Sequence, residues 1–190
     1  MLNRCEWCLG NDLYLQYHDQ EWGVPVHEEQ KLFEFLTLEG AQAGLSWLTV
    51  LRKREAYREA FDGFDPYKIA FYDKDKINEL ITNEGIIRNR LKIEATVKNA
   101  QAFLKVQEKT GSFDQYIWGF VDGKTIHNKF KMIKELPAET ELSRIISKDL
   151  KKKEFSFVGP TIIYSHMQAT GMVNDHTIYC HRYFELGGTK

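Results

Sequence analysis

Soft-metal ligands gather at the two ends of this chain. Cys5 and Cys8 stand in NRCEWCLG, His18 follows in YHDQEWG, and VNDHTIYC puts His176 and Cys180 four residues apart. On a helix, that last pair would share one face. Two thiolates and two imidazoles suit tetrahedral Zn2+, and a set made of Cys5, His18, His176 and Cys180 leaves no position open, so the site would be structural. It would fasten the first turn of the chain to its last helix. Spacing leaves other arrangements open. Cys5 and Cys8 form a C-x2-C pair that chelates by itself, and His27 and His181 are further candidates. Three ordinary thiols and two surface histidines would look the same.

A second cluster is aromatic. Trp7, Trp22 and Trp47 fall in the first quarter of the chain, with Tyr14 and Tyr17 among them. Walls of this kind stack planar heterocycles, at about 1–3 kcal/mol per base, although aromatics also build plain cores. Glu39, in LFEFLTLEGAQAGLSW, lies where the chain turns inward among apolar and small residues. A buried carboxylate is costly without a donor, which points to a ligand or a polar network. The alternative is a helix-end Glu capping amides beside Gly40.

The third feature is LKKKEFSFVGPTIIYSHMQATG, three lysines followed by a short turn and a helix. A glycine-containing turn at a helix start exposes backbone N–H groups to an anion, and Lys151, Lys152 and Lys153 add sequence-independent attraction for a phosphodiester backbone. A lysine run alone is more commonly a solvated helix end.

The elements that must position these groups are helices. Leu45, Leu48, Leu51 and Tyr57 step along one helical face, and Asp65-Pro66 reads as an N-cap followed by proline at the first helical position. Gly85 is placed to end a short helix marked by Ile77, Leu80 and Ile81. A long amphipathic helix through Leu91–Leu104 ends near Gly111, and Ser112 with Gln115 fits a capping box. Leu142, Ile145, Ile146 and Leu150 mark another helix, before the apolar TIIYSHMQAT. No segment alternates with period two, so six to nine helices and no sheet are expected.

Composition bounds the rest. The chain has 190 residues, 43% hydrophobic and 28% charged, which fits one globular domain and excludes disorder. Lys+Arg total 26 against Asp+Glu 27, so a nucleic-acid partner would have to be held by a local patch. The opening MLNRCEW has no signal-peptide core and no run is long enough to span a membrane. Three cysteines argue against a disulfide framework.

Taken together, YHDQEWGVP, LEGAQAGLSWLTVLRKRE, FDP, GIIRNRLKI, FVGPTIIYSHMQATGMVNDH and the final cysteine resemble the DNA-3-methyladenine glycosylase I family, from about Cys5 to about Cys180. The resemblance implies an all-α, helix-hairpin-helix DNA glycosylase-like fold in one domain over 1–190, with the helix-hairpin-helix at about 142–172. It implies one structural Zn2+ on Cys5, His18, His176 and Cys180, with Cys8 a bystander. Glu39 would read the base edge as the catalytic group, Trp47 would stack, and Trp7, Tyr14, Tyr17 and Trp22 would form the walls. Gly159 would belong to the DNA-backbone clamp with the three lysines. The implied substrate is double-stranded DNA containing 3-methyladenine, the product free 3-methyladenine, and the setting a bacterial cytoplasm without a membrane. Monomer is the default state.

One departure from the wider superfamily has a chemical consequence. Its endonuclease III-like members carry a catalytic aspartate in V-D-x-H, and this chain has V-N-D-H, with Asn174 in that place and Asp175 shifted by one. Methylation at N3 makes adenine cationic, so it departs neutral from an already weak glycosidic bond. Extruding the base, holding it and placing a water would then suffice. An ionised Glu39 can accept from the exocyclic amine and favours a cationic purine. No lysine stands out as a Schiff-base nucleophile, which implies hydrolysis without strand cleavage. A non-catalytic DNA-binding module would leave Glu39 unexplained, and a zinc hydrolase would need an open coordination position. Gln42 and Ser46 lie near the pocket motif and are not ranked.

Overall fold

In the computed structural model, which describes residues 2–189, ten α-helices carry nearly all regular structure. They are α1 (Asp12–Gln20), α2 (Glu29–Gln42), α3 (Trp47–Ala60), α4 (Pro66–Ile69), α5 (Lys74–Thr82), α6 (Arg90–Thr110), α7 (Phe113–Trp118), α8 (Glu141–Lys152), α9 (Pro160–Ala169) and α10 (His181–Glu185). Single-turn 3₁₀ segments interleave, among them Glu6–Cys8 and Ile133–Glu135. The count exceeds the expected range because several helices are only four to six residues long, too short to register as a periodic pattern. Among the described residues no helix is long and apolar enough to cross a membrane.

Local signals set most helix ends. Asp65 caps α4 through Tyr67 N with Pro66 at the first position, Asn89 caps α6, and Gly111 ends it at φ +88°. Ser112 caps α7 by accepting from Gln115 N, without the reciprocal bond of a full box. The reciprocal box belongs to Thr140 and Ser143 at the start of α8. Thr140→Ala should therefore cost about 1 kcal/mol in urea unfolding. Two expectations fail locally. α5 ends at Thr82 with Asn83 as its cap, so Gly85 lies beyond it. Leu45 precedes α3, whose cap is Ser46, and is exposed in the tight α2–α3 turn.

The core lies where α2 is enclosed by α3, α6, α7 and α9, and ten consecutive residues of α2, Leu32–Ala41, are buried. Phe103 of α6 stacks on Phe113 of α7 at 4.2 Å and meets Phe33 of α2 edge-on at 5.3 Å. A helix apolar all round is a central helix, and this one carries Glu34 and Glu39 inside with it. Glu34 is matched: it accepts from Arg54 Nε at 2.7 Å, and Arg54 also forks onto Glu21. Arg54 and the other cations around it hold the Glu34 carboxyl below its usual range against the cost of burial.

Against expectation, two strands of two residues exist. β1 (Ile126–His127) pairs in parallel with β2 (Val173–Asn174), a connection too short to read as alternation. It steers the chain after α9 toward the N-terminus. Gly171 before it has φ +72°, and a Cβ there would sit 2.5 Å from the backbone of Val24 and Pro25, so only glycine fits.

Candidate base pocket, metal centre and hairpin

Glu39 and four of the aromatics meet. A cavity of about 210 Å³ opens between α1, α2, α3 and α9, walled by Trp7, Tyr17, Trp22 and Trp47, with Glu39 and Gln42 from α2. Ile133 and Leu136 close one side, and Ser165 and Gln168 of α9 close another. The rings brace one another: Trp7 meets Trp22 at 5.1 Å and Tyr14 at 5.5 Å, both edge-on, while Tyr17 lies 5.5 Å from Trp47. Tyr14 stands behind Trp7 rather than in the wall, and its hydroxyl accepts from Leu48 N at 3.0 Å in the first turn of α3.

Glu39 is 4% exposed and accepts no hydrogen bond from any described residue. Burial pushes its pKa up to about 8, so in the empty pocket at neutral pH the carboxyl is mostly protonated. The Tyr17 hydroxyl is likewise driven up, first by burial and then by Glu39. The buried Trp7 indole N–H has no acceptor. An aromatic box with an unmatched carboxyl suits a planar, nitrogen-rich and preferably cationic ring.

Immediately behind this wall, Cys5, His18, His176 and Cys180 converge. Their ligand atoms all lie within 4.8 Å of one another, and all four residues are buried. Cys5 Sγ is 3.7 Å from His176 Nδ1, Cys180 Sγ is 3.4 Å from His18 Nε2 and 3.5 Å from His176 Nδ1, and the two ring nitrogens are 3.2 Å apart. A tetrahedron built on bonds of about 2.3 Å to sulfur and about 2.0 Å to nitrogen has edges of roughly 3.3–3.8 Å. The quartet is therefore spaced to hold a metal ion.

The outer ring nitrogens are also assigned. His18 Nδ1 is 2.8 Å from Asp19, which Arg4 clamps, and His176 Nε2 lies 2.9 Å from the Trp22 carbonyl. Each imidazole thus gives its second N–H to an oxygen and turns its other nitrogen inward, as metal-bound histidines do. Within the pair of thiols, Cys180 is driven low by the hydrogen bond from Cys5 and by both imidazoles, while Cys5 is driven up. Cys8 stays outside the quartet, its thiol donating to the Cys5 carbonyl at 3.0 Å, and His27 and His181 are also outside.

His176 and Cys180 do not share a helix face. The segment between them is a turn closed by Cys180 N to Thr177 O at 2.8 Å, and Cys180 caps α10. Trp22 joins the two sites: its ring walls the cavity and packs edge-on to His176 at 4.6 Å, and its carbonyl orients that histidine.

α8 and α9 form a helical hairpin whose connecting loop is held in shape from both sides. Asn99 of α6 bonds Ser156 through both ends of its amide, and Ser147 donates to the Val158 carbonyl. Gly159 has ordinary extended backbone, and a Cβ there would meet nothing within 4 Å, so its lack of a side chain leaves free room outside the chain. An open cleft beside it is bordered by Arg144, Lys148, Lys151, Lys152 and Pro160. Lys153 instead folds onto Asp149 at 2.6 Å and over the Tyr116 ring. Arg144 and Lys148 escaped the sequence reading, although their helical spacing to Lys151 and Lys152 carried the signal.

Asn174 is buried, bonding the Tyr183 carbonyl and His127, and Asp175 is buried beside it. Neither side chain enters the cavity.

Comparison with known proteins identifies the family and agrees with the fold. Residues 7–183 match the family model described as methyladenine glycosylase. A DNA-3-methyladenine glycosylase of Haemophilus influenzae is 48% identical over 95% of this chain and 97% of its own. A crystal structure of 3-methyladenine DNA glycosylase I superposes with a TM-score of 0.92 at 47% identity, covering 94% of this chain and 98% of that one. A structure from Staphylococcus aureus that describes 3-methyladenine recognition by its glycosylase I gives 0.91 at 38% identity, over 95% and 96%.

Proposed function

The chain belongs to the methyladenine glycosylase family, and on that premise we infer that it is a DNA-repair glycosylase that hydrolyses 3-methyladenine from alkylated DNA. The observation that carries the reading is the unmatched Glu39 carboxyl in an aromatic cavity. A flipped base enters the cavity and lies against Trp47, with Trp7, Tyr17 and Trp22 around it. Its positive charge draws Glu39 back into the ionised form, because an opposite charge at contact distance offsets the cost of burial. The carboxylate then accepts from the exocyclic amine. Neutral adenine offers no such charge and leaves Glu39 protonated, so the pocket selects the methylated base.

The leaving group departs neutral and needs no acid. The cavity wall contains no lysine among the described residues, in keeping with hydrolysis that leaves the strand uncut. The α8–α9 hairpin is read as the clamp on the duplex backbone, with Gly159 at the approach point and Lys151 and Lys152 supplying charge. The reading takes the protein as a monomer that works on DNA in the cytoplasm. The quartet of Cys5, His18, His176 and Cys180 is assigned to Zn2+, whose thiolate and imidazole preferences it meets. Bound there, zinc supplies a closed cross-link between the chain ends and no open site for water.

The direct test is release of free base from methylated duplex DNA, followed by chromatography, with undamaged DNA as control. A protein that binds duplex DNA but frees no 3-methyladenine would be a recognition module. For the clamp, replacing Lys151 and Lys152 with Gln should weaken binding to all duplex sequences alike. The slope of log K against log salt should fall by roughly 0.9 for each lysine that meets a phosphate. Unchanged affinity at low salt would move the clamp elsewhere.

A further inference from the structure

The cavity has two polar walls, and the mechanism above uses only the one on α2. On the other, Ser165 and Gln168 are three residues apart on α9 and so project from one face of that helix. This helix begins at Gly159, where the strand backbone is taken to approach, and its later turns border the base cavity. If the base enters the cavity while the backbone is held at Gly159, the sugar between them would pass along this face.

Gln168 is held in one orientation. Its Nε2 donates to Asp175 at 2.8 Å, while Asp175, 1% exposed, also accepts from Asn128 at 2.6 Å and from the Tyr164 hydroxyl. The backbone is pinned as well, since Gly23 N donates to the Gln168 carbonyl at 2.9 Å. With its amide nitrogen committed to a carboxylate, Gln168 keeps its Oε1 as an acceptor on a residue that lines the cavity, and no described residue donates to it.

Resting on the glycosylase reading, we propose that Gln168 Oε1 holds the attacking water beside the sugar, and that Asp175 is the positioning residue that fixes this amide. The polarity suits the step. As the C1′–N9 bond breaks, its electron pair leaves with the cationic base and neutralises it, and positive charge develops at C1′. The water oxygen bonds to C1′ while one of its hydrogens points at Gln168 Oε1, and the surplus proton passes to solvent. A reversed amide would aim N–H groups at the water and at the developing cation. Asp175 thus serves the reaction one residue away from the superfamily's aspartate, by orienting an acceptor rather than by acting as a base.

The test separates water from base. Single-turnover excision by Gln168→Met should slow about ten- to a hundred-fold, whereas affinity for free 3-methyladenine, which has neither sugar nor attacking water, should fall by a much smaller factor. Gln168→Ala repeats the measurement if methionine disturbs packing, with thermal melting as the folding control. Asp175→Asn should slow the wild type, yet add little in the Gln168→Met background, because its effect runs through the amide. An equal loss in that background would make Asp175 merely structural. Parallel loss of rate and free-base affinity, or an unaltered rate, overturns the proposal alone. A wild-type enzyme that frees no base overturns the glycosylase reading with it.

Discussion

Glu39→Gln should leave the fold intact while excision and free-base binding fall together, by about ten- to a hundred-fold. The amide keeps the shape of the side chain but cannot ionise when the cationic base arrives. One charge-assisted hydrogen bond is lost, about 1.5–3 kcal/mol. Both readouts move because the same contact serves the flipped base and the freed one. The variant should also change how stability depends on pH. In the folded, empty protein Glu39 titrates near 8, against 4.5 for an ordinary glutamate. From pH 4.5 upward the unfolded chain ionises this group while the folded chain holds its proton. Wild-type stability is thus lost as pH rises, by about 1.4 kcal/mol per unit at most, until the folded group also ionises near 8. The amide of the variant carries no such loss. Urea unfolding should therefore show the variant gaining on the wild type between about pH 5 and 8 and levelling off above. A constant difference across that range, with wild-type excision, would reduce Glu39 to a helix-end residue.

Cys180→Ala should release the metal and the chain ends together. Purified wild-type protein should contain about one zinc per chain, and the variant far less. Because metal binding to a Cys2His2 set is also folding free energy, the loss should reach at least ~3 kcal/mol, or roughly 6–12 °C in Tm for a domain of this size. Cys8→Ala, which removes a thiol that hydrogen-bonds only to the Cys5 carbonyl, should keep the metal and cost about 1 kcal/mol. Trp22 belongs to both sites, so the depleted protein should also bind free 3-methyladenine more weakly. Stoichiometric zinc retained after removal of both Cys5 and Cys180 would refute the quartet.

Much of this molecule is legible in short stretches of chain. Caps such as Asp65 before Pro66, and Gly111 after α6, act within one turn, so the residues that decide them are adjacent in sequence. The buried stretch of α2 and the odd carboxylate within it are visible as apolar and small neighbours around Glu39. Ligand types are equally plain, because thiols and imidazoles are few and advertise soft-metal chemistry wherever they stand.

Sequence by itself therefore determined the helical class and supplied the residue types of the Cys/His quartet and of the aromatic cavity. Which of these residues meet was decided by packing over long separations. Cys5 reaches His176 across 171 positions, while Cys8, its C-x2-C neighbour, turns its thiol onto the Cys5 carbonyl and stays out of the cluster. Only the folded hairpin shows that Lys153 is spent on Asp149 while Lys148 faces the cleft. Gln168 was silent in the sequence for the same reason. An amide becomes a directed acceptor only when a buried carboxylate from a later loop takes its nitrogen, and no local pattern encodes that contact.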